Sequence, residues 1–344
     1  MKFRMAIIGA GNIAQNAHIP AYKNIDDIEV VAIADWNLER AQKAAENFPN
    51  CHAYRTVEEV LEHEEIDGVD ICVWNESHAP VAIAAAKAGK HVLCEKPLAT
   101  SVQEGMDIRK AVEENHVTFM LAVPRRYYPD SLLLAEMVQR GDLGDIYYGK
   151  CAMVRRRGTP IGWFTDSKKS GGGPVFDIGV HCIDLTWYLM NRPKPVSVSA
   201  SVSHAIGNFK TKGVERWTAL DHDMTVFDTE DSAVGMVRFE NGAVLLFETS
   251  WAMNCREQQY TQICGTKGGA ELEPLRVYTE ENDYLTDKTF TTSGINRFEY
   301  EIRHFTECTK TGATPISSLD DAFTIMKILC GIYESAKCGH EILL

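Results

Sequence analysis

The feature that most constrains the fold is a regular alternation of short apolar runs and helix-forming stretches. Residues 3–9 form an apolar run that ends in a glycine-rich turn, and residues 28–34 form a second run that ends at Asp35. Three more runs follow, separated by stretches rich in helix formers, at 69–73, 91–96 and 117–123. Because each run is apolar throughout, the pattern predicts an α/β fold with a doubly wound parallel sheet, covered by helices on both faces.

From about residue 125 the pattern changes to strands in succession. A helix is predicted at 129–140, and two more are predicted near the end of the chain, at 295–311 and 318–337. Between them lie longer alternating strands, at 147–157, 195–204, 232–240 and 243–251. Asn241-Gly242, which joins the last two, is a strong hairpin signal. This part predicts an α+β domain with an open-faced mixed or antiparallel sheet.

The glycine-rich turn carries the first functional signal. Gly9-x-Gly11-x-x-Ala14 follows a predicted strand and opens a predicted helix, and Asp35 ends the next strand 21 residues after Ala14. This context is typical of dinucleotide binding, in which backbone amides hold a pyrophosphate and the acid accepts hydrogen bonds from a ribose. The alternative is a plain turn with a solvated aspartate.

The cofactor prediction follows from the side chains around Asp35. Its carboxylate would repel a 2′-phosphate, which favours NAD, while Arg40 could tolerate that phosphate and keeps NADP possible. Trp36 is placed to flank the adenine. We therefore predict an NAD-binding Rossmann domain at 1–124 and a substrate-binding domain at 125–344, whose C-terminal helices could pack back on the first domain.

Composition excludes several classes of function. A formal net charge of −13 and a pI near 5.3 argue against nucleic acid or an anionic membrane as the main partner. No apolar run approaches the length of a membrane span, and the first residues do not resemble a secretory signal, so we expect a cytoplasmic protein. The ten cysteines contain no CxxC pair, and we expect most of them to be buried thiols.

Two stretches carry polar groups that suit proton transfer. Lys96 ends a predicted strand and precedes a proline, which would stiffen its backbone, although a solvated strand end gives the same pattern. In GGGPVFDIGVHCIDL, the residues Asp177, His181 and Asp184 recur at i, i+4 and i+7 on one face of a predicted helix. They could be an N-cap with two satisfied core residues, a metal site, or acid–base residues. The glycines before them are expected to let backbone approach a ligand, and no metal is predicted, because no further ligand motif accompanies them.

These motifs together resemble the Gfo/Idh/MocA oxidoreductase family. The resemblance rests on GxGxxA near residue 10, AGKHVLCEKPLA at 88–99, GDLGDI at 141–146 and the GGGPVFDIGVHCIDL block. It implies Lys96 and His181 as a catalytic pair, with Asp177 as a catalytic and substrate-binding carboxylate. It implies a homodimer or homotetramer built through the open sheet. It implies cofactor contacts at Gly9, Gly11, Asn12, Ile13, Asp35, Asn75, His78 and Glu95. Trp36, Arg40, Trp74 and Lys96 complete the predicted cofactor-binding residues.

The sequence departs from the family pattern at several positions. Trp74 stands where the family usually has a proline, and we expect it to shape the nicotinamide side of the pocket. Phe164 stands where an arginine often follows the tryptophan matched by Trp163. An acidic residue of the inositol dehydrogenases has no clear match, since the nearby acid is Asp166, which makes inositol itself a doubtful substrate.

The resulting hypothesis is an NAD(P)-dependent dehydrogenase that acts on a secondary hydroxyl or ketone of a sugar or polyol. Lys96, Arg126, Trp163, Asp177 and His181 are the predicted substrate-binding residues. The alternatives are a redox-neutral sugar lyase or hydrolase that uses bound NAD transiently, and a non-catalytic dinucleotide-binding regulator. Two other clusters stay open: Arg155–Arg157 could bind an anionic substrate or form a solvated edge, and 221–223 is interpreted as a polar turn rather than a metal cluster.

Overall fold

The computed structural model describes residues 2–221 and 226–344, which form two compact units. The first unit comprises Met1–Pro124 and Asn296–Phe323. The second comprises Arg125–Ile295 and Thr324–Leu344. His222 and Asp223, two of the three residues interpreted as a polar turn, lie outside the described residues.

The first unit contains a six-stranded sheet in the order β3-β2-β1-β4-β5-β6, with every pair parallel. This order is that of a doubly wound dinucleotide-binding fold, and it confirms the predicted Rossmann sheet. The strands are β1 (Phe3–Ile8), β2 (Ile28–Ala34), β3 (His52–Tyr54), β4 (Gly68–Ile71), β5 (His91–Glu95) and β6 (Phe119–Ala122). The prediction missed β3, because three residues with a histidine and a tyrosine form no apolar run.

The helices of the first unit connect these strands. They are α1 (Ile19–Tyr22), α2 (Leu38–Ala45), α3 (Val57–His63), α4 (Asn75–Lys87) and α5 (Val102–Asn115), joined by α9 (Arg297–Thr311) from late in the chain. A π-helical turn at Ala14–His18 leads directly into α1. The predicted start of a helix at the glycine-rich turn is therefore confirmed.

The second unit contains a nine-stranded mixed sheet in the order β14-β13-β12-β11-β7-β10-β9-β8-β15. Of its pairs, β7 with β10 is parallel and the others are antiparallel. The strands are β7 (Ile146–Val154), β8 (Pro195–Ser203), β9 (Ser232–Phe239), β10 (Val244–Ser250), β11 (Gln258–Gly265), β12 (Gly269–Leu272), β13 (Arg276–Glu281), β14 (Tyr284–Thr289) and β15 (Ile342–Leu343). This confirms the predicted mixed sheet, although β11 to β14 were not predicted.

The described part of this unit contains four α-helices. They are α6 (Pro129–Gln139), α7 (Ser167–Ser170), α8 (Val180–Leu189) and, in both units, α10 (Leu319–Cys338). Helix α6 contacts β12 of the sheet, and helix α8 contacts β7, β10 and β11. Along β9, Val237 is buried while Val234 is exposed, which is the alternation of a sheet with one covered face. The hairpin at Asn241-Gly242 forms as predicted, joining β9 and β10.

Two further sequence-based expectations can be compared with the structure. None of the described helices has both the length and the apolar character needed to cross a bilayer. All ten cysteines lie in the described residues, and no disulfide joins them. Five are buried, four are intermediate and Cys338 is exposed, so the expectation overestimated the number of buried cysteines.

Candidate active site

The glycine-rich turn after β1 has two glycines with different roles. Gly9 has φ +101°, and a Cβ there would lie 2.5 Å from the carbonyl oxygen of Cys72. Only glycine fits this close packing. At Gly11, by contrast, a Cβ would have no atom within 4 Å, so the space beside it is open. Asn12 and Ile13 follow, half-buried, at the start of the helical segment. This arrangement fits the close approach of a dinucleotide pyrophosphate.

Asp35 is buried at the end of β2 and holds the glycine-rich turn in place. One carboxylate oxygen accepts a hydrogen bond from the backbone N–H of Ala10 at 2.8 Å, and the other accepts from Asn37 at 2.9 Å. Arg40 lies 3.7 Å from the same carboxylate. The sequence analysis did not foresee this link to the turn. A carboxylate has further lone pairs, so the predicted ribose contact is compatible with it.

Two tryptophans lie beside this acid. The Trp36 ring is 61% exposed, the Arg40 guanidinium carbon lies 5.5 Å from its centre, and the Trp74 ring centre is 6.5 Å away. An exposed aromatic surface of this kind suits stacking with an adenine. Trp74 thus lies near the residues that follow β2, and its effect on the nicotinamide side stays a prediction.

The turn that carries Lys96 is held from two sides. Lys96 is half-buried after β5, its peptide bond to Pro97 is cis, and its N–H donates to a carboxylate oxygen of Glu95 at 3.1 Å. On the other side, His78 Nδ1 lies 2.6 Å from the carbonyl oxygen of Pro97. The other ring nitrogen, Nε2, lies 3.2 Å from the carbonyl oxygen of Val73, and burial lowers the pKa of His78. His78 lies in α4, and Asn75, the first residue of this helix, is also buried.

Asp177 is not the helix N-cap that its position after the glycines suggested. It lies inside a π-helical turn, Val175–Gly179, and the residue before this turn is Pro174. One carboxylate oxygen of Asp177 accepts a hydrogen bond from the indole N–H of Trp251 at 2.8 Å. Because α8 begins only at Val180, Asp177 and His181 lie in helical turns of different type. The prediction of one regular α-helical face is therefore wrong, and π-turns of this kind are frequent at functional sites.

The glycines before this turn make room for protein atoms. A Cβ at Gly172 would lie 2.0 Å from the Tyr333 hydroxyl oxygen, and a Cβ at Gly173 would lie 2.3 Å from the carbonyl oxygen of Glu230. The expectation that these glycines let a ligand approach is therefore wrong at both positions. They are needed for the packing of the turn that carries Asp177.

Glu230 is a buried residue that the sequence analysis missed. Its carboxylate accepts hydrogen bonds from the backbone N–H groups of Gly173 at 2.9 Å and Val175 at 3.1 Å, and from the Tyr333 hydroxyl at 2.8 Å. Burial raises the pKa of Glu230, and these donors oppose the rise. Glu230 thus fixes the start of the turn that carries Asp177. No local pattern marks it, since it lies in an irregular stretch before β9.

Arg126 does not have the exposure expected of a substrate-binding residue. It is fully buried, and its guanidinium makes two hydrogen bonds to Asp184, at 2.9 and 2.6 Å. It also lies 4.6 Å from the ring centre of Tyr188. Arg126 is buried because the buried carboxylate of Asp184 needs a charged partner. Asp184 is accordingly a satisfied core residue, one of the alternatives considered for it.

The other predicted substrate residues lie in an aromatic cluster and in helix α8. Trp163 is stacked on Phe164 with ring centres 4.0 Å apart, and Phe164 makes an edge contact with Trp217 at 5.2 Å. His181 is the second residue of α8 and is half-buried. Lys96 belongs to the first unit, whereas Asp177 and His181 belong to the second.

The arginine run does not continue the strand. β7 ends at Val154, so the strand predicted at 147–157 extends three residues too far, and the observed strand does not include the arginines. The Arg157 guanidinium hydrogen-bonds the side chain of Asn254 at 2.6 Å. The Arg156 backbone donates to Glu257 at 3.0 Å. These contacts attach the run to neighbouring loops of the second unit.

Comparison with known proteins supports this description. The model of an oxidoreductase family with an NAD-binding Rossmann fold matches residues 3–123, and the GFO/IDH/MocA C-terminal domain matches residues 132–271. The chain belongs to the Gfo/Idh/MocA oxidoreductase family. Members of this family share the two-domain organisation seen here.

Several relatives of the chain are sugar dehydrogenases. It is 32% identical to a D-glucoside 3-dehydrogenase of Escherichia coli over 99% of this chain and 97% of the relative. It is 29% identical to a levoglucosan dehydrogenase of Pseudarthrobacter phenanthrenivorans over 69% of this chain and 63% of the relative. A solved levoglucosan dehydrogenase in complex with NADH and levoglucosan superposes with a TM-score of 0.87 at 25% identity, covering 100% of this chain and 99% of that one. The chain is thus an NAD-binding oxidoreductase of a sugar dehydrogenase-like kind.

Proposed function

We propose that this protein is an NAD-dependent dehydrogenase that oxidises a secondary hydroxyl of a sugar, with glucosides as the first substrate class to test. The observation that carries the proposal lies within the first unit. Lys96 follows β5 and the Gly9–Gly11 turn follows β1, and both strands flank β4 in one parallel sheet. Their carboxyl ends share one edge, which is where such sheets bind ligands.

The chemistry is a loss of two hydrogens from the substrate. The hydroxyl oxygen gives up a proton, the carbon bearing it gives up a hydride, and a ketone results. NAD, when bound, supplies the hydride acceptor. We assign His181 as the base that takes the hydroxyl proton, and Lys96 as the cation that hydrogen-bonds the oxygen and stabilises its developing negative charge. Asp177 accepts a hydrogen bond from a neighbouring substrate hydroxyl.

The choice of glucosides follows from the name of one relative, a D-glucoside 3-dehydrogenase, and is therefore specific enough to fail. NAD rather than NADP is proposed because Asp35 places a buried carboxylate at the end of β2. Cytoplasmic location and assembly as a homodimer or homotetramer stay predictions.

The first test measures NADH formation with a panel of methyl glucosides, levoglucosan, xylose and polyols, using NAD and NADP in parallel. We expect turnover of at least one glucoside and a higher kcat/KM with NAD. Lys96→Met and His181→Asn should each lower kcat about 10²- to 10⁴-fold, the usual contribution of a positioned acid or base. Lys87→Met, which removes an exposed lysine of α4, is the matched control and should leave kcat unchanged.

Three results would contradict the proposal. One is tight NADH binding with no turnover of any sugar, which is the behaviour of a regulator. Another is consumption of a glucoside without net NADH, which is the behaviour of a redox-neutral lyase or hydrolase. The third is full activity in Lys96→Met and His181→Asn.

A further inference from the structure

A buried ion cluster lies in the first unit beneath the turn that carries Lys96. Its centre is His18, the last residue of the π-helical turn before α1. The ring Nδ1 lies 2.7 Å from a carboxylate oxygen of Asp70 in β4, and Nε2 lies 3.0 Å from one of Glu95 in β5. The side chains of His18 and Asp70 are completely buried, and Glu95 is nearly so.

The hydrogen-bond geometry favours a charged imidazole. A carboxylate can only accept hydrogen bonds, so a ring that binds one carboxylate through each nitrogen must donate from both. His18 is then an imidazolium. Burial alone would lower the pKa of His18, but the charge and hydrogen bond of Asp70, together with the interactions with Cys72, raise that pKa well above its usual value. Burial alone would raise the pKa of Glu95, and the hydrogen bond and charge of His18 lower it instead.

Burial raises the pKa values of the neighbouring titratable groups. Burial raises the pKa of the Cys72 thiol to about 12 and raises the pKa of the Tyr22 hydroxyl well above its usual value. Burial also raises the pKa of Glu301, in α9, well above its usual value, and the negative charge of Glu95 adds to that. Among the described residues, His18, Asp70 and Cys72 could in principle ligate a metal, since their ligand atoms lie within 4.8 Å of one another. The hydrogen bond on Nδ1 and the protonated thiol argue for an ion cluster instead.

The cluster is linked to Lys96 through Glu95. One oxygen of the Glu95 carboxylate accepts from His18, and the other accepts from the backbone N–H of Lys96 at 3.1 Å. We propose that His18 is a positioning residue, which, as a cation between Asp70 and Glu95, fixes Glu95 and thereby the main chain of Lys96. The proposal rests on the proposed function in that it treats Lys96 as the catalytic cation.

Kinetics of His18→Gln test the positioning role. Glutamine carries no charge, so Glu95 loses its cation and the Lys96 turn loses the charged anchor. We expect kcat to fall about 10- to 100-fold, the scale of a small misplacement, with KM for NAD unchanged. The acid limb of the pH profile of kcat should move to higher pH, because the pKa of Glu95 rises. Glu301→Gln is the matched control and should leave kcat and the limb unchanged, since glutamine is the uncharged isostere of an acid whose pKa is raised by burial.

Nuclear magnetic resonance tests the same role without turnover. In the wild-type protein both ring nitrogens of His18 should remain protonated at pH 8, and the Lys96 amide should exchange with solvent at least tenfold faster in His18→Gln. Asp70→Asn, which keeps the imidazole, should show the same faster exchange if His18→Gln does not fold.

The outcomes separate the two proposals. A neutral His18 ring at pH 8, or unchanged Lys96 exchange and an unchanged kcat profile in a folded His18→Gln, would overturn the positioning role. Absence of turnover in the wild-type protein would overturn the proposed function, while a protonated His18 and faster Lys96 exchange would still support the cluster and its anchoring of this turn.

Discussion

The two units bury carboxyl groups in different ways. In the first unit, Asp70 and Glu95 both contact the ring nitrogens of His18, and burial raises the pKa of Glu301. In the second unit, Asp184 and Glu230 each have a separate set of donors. The comparison teaches that the stability of the His18 cluster depends on which of its groups are protonated. The stability of the buried carboxylates in the second unit depends instead on the geometry of individual hydrogen bonds.

This difference has a consequence for the proposed catalytic groups. The turn of Lys96 is anchored through a charged network, so its position should respond to pH and to changes of charge. The turn of Asp177 is anchored through backbone N–H groups bound to Glu230, so it should respond to changes of shape. Substitutions that alter charge but preserve shape should therefore affect mainly the turn of Lys96. Substitutions that alter shape but preserve charge should affect mainly the turn of Asp177.

The largest expected effect is on the buried ion pair of the second unit. Arg126→Met leaves the Asp184 carboxylate buried without its guanidinium, which should lower the free energy of unfolding by about 3–5 kcal/mol. The double variant Arg126→Met with Asp184→Leu removes both charges and should recover most of that loss. Chemical denaturation monitored by tryptophan fluorescence measures both. A stable Arg126→Met that instead fails to bind sugar would restore Arg126 as a substrate residue.

A smaller effect is expected at Glu230. In Glu230→Gln the amide nitrogen replaces one acceptor oxygen, so at least one of the N–H groups of Gly173 and Val175 loses its partner. We expect a loss of about 1–3 kcal/mol in the free energy of unfolding, with a fall in kcat, because the turn of Asp177 is loosened. Asp228→Asn changes an exposed carboxylate two residues earlier and is the matched control. Equal stability of Glu230→Gln and Asp228→Asn would show that the geometry of Glu230 is unimportant.

The smallest effect is a change in pH dependence at Glu301. Its pKa in the folded protein is raised above the usual 4.5, so the folded state binds more protons than the unfolded state above that pH. The contribution of Glu301 to stability is therefore lost as the pH rises towards the folded pKa. Glu301→Gln has no such loss, so its melting temperature should match the wild type near pH 4.5 and exceed it at pH 8. A difference that is the same at both pH values would contradict a neutral, buried Glu301.

Local patterns in the sequence predicted the elements with strong periodicity. Continuous apolar runs identified five strands of the first sheet, and Asn241-Gly242 identified the β9–β10 hairpin. The glycine-rich turn, Asp35 and Lys96 were singled out because each follows a strand. The polar, half-exposed strands β11 to β14 gave no comparable signal. Apolar and polar residues alternate only weakly along them, because few of their side chains are buried.

The supporting contacts were missed for a different reason. His18 and Glu95 are 77 residues apart, and Glu230 and Tyr333 are 103 residues apart. Nothing local marks such a partner, because each residue taken alone reads as an ordinary polar group. The glycines at 172 and 173 illustrate the same point, since the atoms that require them come from Tyr333 and Glu230.

The central claim is that a sugar hydroxyl is oxidised by hydride transfer with the help of Lys96 and His181. The most direct measurement uses methyl glucoside carrying deuterium on carbon 3, with NAD, and determines the isotope content of the NADH by mass spectrometry. The account predicts NADH that carries the deuterium, formed at a rate that falls sharply in His181→Asn. Consumption of the glucoside with no deuterated NADH, or equal rates in the wild type and His181→Asn, would contradict it.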